Sequence, residues 1–364
     1  MVKTTSYLLF ILAITVIFSS CIKEDLYTLE INHQPRQKDD GWATATPQST
    51  GMNATELEKV YNLVFDENKY PSSRSLLIVR NGNLVSESYF RCESHLSVPE
   101  NIQGITRGIT SLLFGIALEK GYIEDIDQRL YRYIAEYFGS GEQKRSMNFH
   151  HVLTMQSGQK WNNDNDTPDF FNHKSYPSSL RVVLRKESVA EPGTLFNDSH
   201  GDAQLISGVI SKTSGMSLEE FASVYLFEPL AINRFLWEIH PDGFNYGGFA
   251  LYLTPRDLAR IGLLLIREGK WQSEEIVPAK WIDESTTNKT GGEGGEFPAY
   301  GYFWHIDSAR KGFYAKGRGG QFLYILPELN LAVVHTANPY SSENAGVSSG
   351  DFELLLDMII DSIE

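Results

Sequence analysis

Residues 109–118 read Ile-Thr-Ser-Leu-Leu-Phe-Gly-Ile-Ala-Leu, and Gly121 follows closely. A run this apolar, with no polar stripe at helical spacing, predicts a helix enclosed on every side. Such a helix needs chain packed over each of its faces, and the flanking sequence must supply those layers.

Upstream, Leu76-Leu-Ile-Val-Arg80 and Asn83 to Phe90 are β-rich runs joined by Asn81-Gly82. Asn-Gly between two such runs is the strongest short-range hairpin signal. Asn53-Ala-Thr-Glu56 is a helix-capping pattern, and Leu57, Val60, Tyr61 and Val64 then recur at helical spacing. Downstream, Leu205 to Ile210 begins another helix, and Ser217-Leu-Glu-Glu220 caps a third. Tyr302–Ile306, Phe313–Lys316, Gln321–Leu326 and Leu331–Thr336 read as successive strands, and Asp351–Ile363 as a closing amphipathic helix.

The order is helix, hairpin, helical block, strands, helix. It predicts an α+β fold: an antiparallel β-sheet flanked by helices, with an all-helical lobe inserted. The expected domain spans 51–364, with a sheet lobe at about 51–95 and 240–364 and a helical lobe at about 96–239.

The first twenty residues form a different unit. Lys3 precedes the twelve-residue apolar run Tyr7 to Phe18, and Ser19-Ser20-Cys21 follows. Twelve residues rise only about 18 Å as a helix, against a hydrocarbon core of about 30 Å. The segment reads as a signal peptide rather than a span. Its ending resembles a bacterial lipoprotein signal, which implies lipidation at Cys21 and a lipid-anchored protein of the cell envelope, in the outer membrane and periplasmic or surface-exposed. Lys23-Glu24-Asp25 resembles a surface-export signal. Residues 21–50 are polar and aperiodic and read as a tether.

Composition sets further bounds. The 364 residues carry 32 Lys+Arg and 46 Asp+Glu, for a net charge of -14. This acidic balance argues against nucleic acid as a partner, because phosphate attraction needs a basic face. Two cysteines exclude a disulfide scaffold or a cysteine-based zinc module. Cys92 reads as a small core hydrophobe.

Six segments carry a resemblance: Leu76–Phe90, Ser111–Ile123, Leu153–Gly158, Glu191–Asn197 (EPGTLFN), Leu253–Leu265 (LTPRDLARIGLLL) and Gly317–Leu331 (GRGGQFLYILPELNL). In this order they resemble the serine β-lactamase and penicillin-binding-protein superfamily, in particular class C β-lactamases, related esterases and 6-aminohexanoate-dimer hydrolases. The resemblance covers about residues 51–360. It implies a Ser-x-x-Lys motif opening the buried helix, a Tyr-x-Asn loop, and a Lys- or His-x-Gly strand. One helical turn sets the Lys amine beside the Ser hydroxyl, where it can take the proton. Two backbone N–H groups complete an oxyanion hole. The chemistry requires no cofactor and no metal.

Each motif is altered here. Gly104 stands at the nucleophile position and Arg107 at the lysine position. A guanidinium with pKa above about 12 is no base. In the second motif Asp198-Ser199-His200 replaces Tyr and Asn, and in the third Arg318-Gly319-Gly320 puts Arg in the Lys or His place. The resemblance leads us to expect the N–H groups of Gly104 and Gln321 to converge. Arg107, His200 and Arg318 should add positive character, with Asp198 opposing. The expected site is thus a pocket for a small anionic or peptide-like ligand, such as a cell-wall fragment or a carboxylate, with no intact catalytic residue.

Other constellations read as structural. Ser-x-x-Lys spacing recurs at Ser20/Lys23, Ser157/Lys160 and Ser308/Lys311, none of which opens a buried helix. Ser199 between Asp198 and His200 is not a triad, which draws on separate elements. His150-His151 reads as capping or packing, and Asn162–Asp169 as a solvated acidic loop without the EF-hand Gly and Glu. Tyr300, Tyr302, Trp304 and Tyr314 read as a packed sheet face. Two alternatives stand beside the non-catalytic reading. One is an active hydrolase of amide, ester or β-lactam bonds using Asp198 and His200. The other is a partner-binding surface lipoprotein.

Overall fold

The computed structural model describes residues 33–364, apart from 67–68, 140–141, 292–296 and 342–344. The expected signal peptide and Cys21 lie outside the described residues.

Asn53 caps helix α1 (Ala54–Phe65), its side chain accepting from the N–H groups of Thr55 and Glu56. Strands β1 (Ser73–Arg80) and β2 (Asn83–Tyr89) follow. Between them Asn81 and Gly82 have φ of 49° and 82°. Two successive positive φ values make the turn that matches strand twist, and Asn-Gly tolerates them best. Next come β3 (Glu100–Asn101) and the enclosed helix α2 (Ile105–Glu119). The lobe that follows carries α3 (Phe149–Leu153), α4 (Asn163–Asp166), α5 (His200–Ser214) and α6 (Leu218–Ala222). The chain returns through β4 (Leu236–Trp237), β5 (Leu251–Leu253) and α7 (Pro255–Ile266). It ends with β6 (His305–Asp307), β7 (Gly312–Gly317), β8 (Gln321–Leu326), β9 (Leu331–Ala337) and α8 (Ser349–Asp361).

The main sheet has the order β2-β1-β9-β8-β7-β6 and is antiparallel throughout. The hairpin therefore joins the C-terminal strands through β1 against β9, with Leu77 opposite Val334. Side chains alternate between two cores, as the two-residue period of a strand requires. Leu76, Ile78, Phe322, Tyr324 and Val333 pack with residues of α1 and α8. Leu77, Val79, Leu323, Ile325 and Val334 share the other core with α2, α7 and the helical lobe. A small sheet, β3-β5-β4, ties the chain before α2 to the chain before α7. Helix α2 is buried from Ile105 to Ala117. Trp304 lies over Gly108, and the Trp281 indole N–H donates to Ser111 O at 2.8 Å.

Four details differ from the sequence reading. The helix expected from Leu205 starts at His200, because the Ser199 hydroxyl accepts from the Asp202 N–H. The strand expected over Tyr302–Ile306 shrinks to β6. Gly301 N–H bonds Trp304 O at 2.8 Å and Phe303 adopts φ of 64°, so this stretch turns and buries its aromatic residues. Cys92 sits half-buried beside Ser94, outside both cores. The tether expected over 21–50 does not extend to residue 50. From His33 onward the chain packs along β2, with Glu87 N–H donating to His33 O at 2.9 Å and Leu84 N–H to Ala43 O at 2.9 Å. His33 stacks on Tyr61, and Arg256 pairs with both Asp40 and buried Glu87. Backbone pairing and a buried ion pair carry no hydrophobic period, so polar composition concealed this segment.

Candidate functional site

The opening of α2 is where two main chains meet. Gly104 is the N-cap residue and makes no side-chain cap. A Cβ built on it would lie 2.5 Å from the Lys316 carbonyl oxygen and 3.5 Å from Gly317 Cα. A Cβ on Gly317 would in turn lie 2.6 Å from Ile102 O and 2.9 Å from Gly104 N. Each glycine is what allows the other's backbone so near. The nucleophile position is therefore closed as well as bare, since any side chain at 104 must push β7 away.

One helical turn on, Arg107 folds back over the gap. Its Nε donates to Gly104 O at 3.3 Å, and its Nη2 lies 3.1 Å from where that Cβ would be. Its Nη1 forms an ion pair with Asp198. The Arg107 side chain is 6% exposed and that of Asp198 45%. Burial works against the charge on Arg107, but Asp198 outweighs it and Arg107 stays charged. Burial also opposes the Asp198 charge, yet Arg107, with help from His200 and His305, holds that carboxyl well below the usual carboxylate range.

Ser199 and His200 open α5 from the other side. Ser199 is buried, and its hydroxyl accepts from the Asp202 N–H at 3.0 Å, a capping role. The His200 N–H donates to Asn163 Oδ1 at 2.9 Å, and its ring stacks on Phe249 at 5.3 Å between centroids. Burial, then the Arg107 charge, lowers its pKa to about 3. His200 is thus neutral at pH 7 and does not add the positive character expected of it.

The third motif forms the turn between β7 and β8. The strand passing the helix opening is β7, and it reaches Gly104 at Lys316 and Gly317. Gln321 pairs with Gly317 across the hairpin. Its side chain is buried and binds Ala337 through both amide atoms. Gln321 is not among the residues lining the cleft, and the backbone that approaches Gly104 is that of Lys316 and Gly317. Arg318 is at the rim, 62% exposed and 3.8 Å from Asp164.

These residues border a cleft of about 850 Å³. Its charged lining is balanced: Arg107, Lys316 and Arg318 against Asp164, Asp198 and Glu238. Phe171, Phe249 and Tyr340 give it aromatic surface. Sequence reasoning missed Lys316, Glu238 and Tyr340, which only the tertiary fold brings here. It also missed Asp202 beneath the site. Asp202 is buried, and burial pushes its pKa up to about 7 against the opposing effect of Ser157 and Ser199 beside its carboxyl.

The remaining candidates lie elsewhere. Ser157 is buried while Lys160 points out toward Glu187 at 3.9 Å, and Lys311 pairs with Glu328. Ser20 and Lys23 lie outside the described residues. His151 closes a capping box with Asn148, and His150 Nδ1 is 3.0 Å from the Tyr302 hydroxyl. Asp166 and Asp169 both bind Lys186 at 2.7 Å. Tyr300, Tyr302 and Trp304 are buried in the core, and Tyr314 stacks on Tyr324 from β7.

The 6-aminohexanoate-dimer hydrolase of Paenarthrobacter ureafaciens is 22% identical over 311 residues, covering 78% of this chain and 77% of that protein. Among solved structures, a Bacillus anthracis protein provisionally named 6-aminohexanoate-dimer hydrolase is similar, with a TM-score of 0.73 and 18% identity over 91% of this chain and 89% of that one. The octameric penicillin-binding protein homologue from Pyrococcus abyssi superposes with a TM-score of 0.63 and 20% identity, covering 79% and 74%. The beta-lactamase family model matches residues 76–354, across both the sheet and the helical lobe, and the chain belongs to that family.

Proposed function

We propose that this protein is a non-catalytic member of the beta-lactamase family that binds a small or peptide-like ligand in the cleft beside Gly104. The supporting observation is the closed nucleophile position. The Lys316 carbonyl stands 2.5 Å from the Cβ that a serine would need, and Arg107 fills the remaining space. Loss of a nucleophile within a catalytic unit costs roughly a millionfold in rate. Asp198 is committed to Arg107, and burial with the Arg107 charge holds the His200 pKa at about 3, which makes that imidazole a weak base toward water. The polar, aromatic-walled cleft that remains supports recognition.

We further propose that Cys21 carries a lipid that holds the domain on the cell envelope, by the signal-like sequence before it. Metabolic labelling with an alkyne fatty acid checks this, with label expected on the wild type and lost in Cys21→Ser.

The functional test is turnover. Nitrocefin, p-nitrophenyl butyrate and the linear 6-aminohexanoate dimer are incubated with micromolar protein. The expected result is no rate above buffer for the wild type, Asp198→Ala or His200→Ala. A wild-type rate that either substitution abolishes would replace this reading with hydrolysis through Asp198 and His200.

A further inference from the structure

Behind the aromatic wall of the cleft stand two histidines that the site does not use. His240 lies in the connection between β4 and β5, where its N–H donates to Phe244 O at 2.9 Å and its side chain is fully buried. His173 follows the cleft-lining Phe171 by two positions and is exposed. The two imidazole rings have centroids 4.9 Å apart and planes at 88°. Tyr246 packs between their segments, with its ring against those of His240 and Phe171.

Asp242 fixes the state of the buried ring. The Nδ1 of His240 lies 2.7 Å from Asp242 Oδ1. Burial opposes the charge on Asp242, but bonds from His240 and from the Ser179 N–H hold its carboxyl below the ordinary value. An ionised carboxylate only accepts, so the hydrogen of this bond sits on Nδ1. Nε2 is left with an in-plane lone pair, and it is buried with no hydrogen-bond partner among the described residues. A buried acceptor without a donor is costly, and such groups mark a place for water or an ion. An imidazole that gives its other N–H to a carboxylate is also the usual form of a metal-ligating histidine.

The spacing of the rings fits a shared ion. With metal–nitrogen bonds of about 2.1 Å at a tetrahedral angle, two imidazoles on one ion have centroids about 5 Å apart. We propose that His173 and His240 together bind one divalent transition-metal ion such as zinc, with Asp242 as the positioning carboxylate. Imidazole nitrogen suits zinc, copper and nickel and disfavours magnesium and calcium. Among the described residues no group of three or more His, Cys, Asp or Glu side chains converges, so water completes the coordination. The ion would bridge the β4–β5 connection to the segment that carries Phe171 into the cleft wall. The site lies outside the cleft, so the proposal stands whether or not the cleft is catalytic.

The test uses tag-free protein stripped of metal, with Zn²⁺ titrated in competition with a chromophoric chelator at neutral pH. One ion is expected per chain. His173→Ala should weaken zinc binding by about tenfold or more, and His150→Gln, in the adjacent pair His150-His151, should leave it unchanged. His173 is exposed, so the metal-free melting curve of His173→Ala should match the wild type. Added Zn²⁺ should raise Tm in the wild type and not in that variant. With Cu²⁺ as a probe, electron paramagnetic resonance should show two coupled imidazole nitrogens in the wild type and one in His173→Ala. No zinc binding by the wild type below millimolar concentration would overturn the proposal and leave a buried water as the partner of Nε2. Equal zinc affinity in the wild type and His173→Ala would overturn it too, by placing the ion elsewhere.

Discussion

The carbonyl oxygen of Lys316 stands 2.5 Å from the position a Cβ on Gly104 would occupy. This relationship separates a site that has merely lost a side chain from one that has closed over the loss. Refilling it means moving the backbone of β7, and overpacking of this kind costs about 1–3 kcal/mol. Gly104→Ala and Gly104→Ser are expected to lower Tm by several degrees. Gly139→Ala, whose Cβ meets nothing within 4 Å, should leave it unchanged. Gly104→Ser combined with Arg107→Lys should be destabilised and still fail to hydrolyse nitrocefin. A stable, active double variant would mean that β7 yields readily.

The Arg107–Asp198 pair is asymmetric in exposure, and its variants should be too. Asp198→Ala leaves a buried guanidinium unpaired, a loss of about 3–5 kcal/mol. Arg107→Met leaves a carboxylate that water already reaches, so a smaller loss is expected. Denaturant titration of both variants measures the difference. Because the folded Asp198 pKa is depressed, its contribution is full above about pH 4 and declines as pH falls below that value.

Asp202 titrates in the opposite sense. Its folded pKa of about 7 lies above its ordinary value of 3.8, so stability held by the protonated form is full below about pH 4 and is lost as pH rises through 7. Asp202→Asn is therefore expected to stabilise the protein at pH 8 and to have little effect at pH 4, which melting curves at the two pH values would show. Three histidines, His335 buried and His200 and His305 half-buried, act the other way. His200 and His305 are pushed down to about 3 and His335 to about 4, chiefly by burial. Their unfolded forms take up protons below about pH 6.5 while the folded forms do not, so their contribution is lost as pH falls from 6.5.

The segment from His33 to Thr46 is fastened at Arg256. Removing one partner should loosen it without unfolding the domain. Asp40→Ala is expected to speed trypsin cleavage after Arg36 and Lys38 severalfold while the main melting transition shifts little. Arg256→Ala strands the buried carboxylate of Glu87 and should lower the main transition itself.

Much of the fold is legible from short-range signals. The apolar run at 109–118, the Asn81-Gly82 turn and the Asn53 cap each state their structure locally, and all three appear as read. Gly104 and Arg107 were legible because one helical turn fixes their spacing. The strand residue that meets the start of α2 was not. Gly317, Gly319 and Gly320 are all glycines, and which one meets α2 depends on sheet register, which no local pattern encodes. Lys316 and Glu238 stand 78 positions apart in sequence and approach one cleft only through β5 and β7. The neutrality of His200 was hidden for a related reason, since it depends on Phe249 and Arg107 arriving from other elements.

Intact-protein mass spectrometry after exposure to a penicillin and to an activated ester shows whether any side chain in the cleft is acylated. A hydrolase of this family that works through a side-chain nucleophile passes through an acylated protein. With the nucleophile position closed, the mass is expected to stay unchanged at every time point. A stoichiometric acyl adduct mapped to a peptide lining the cleft, Ser199 included, would contradict it.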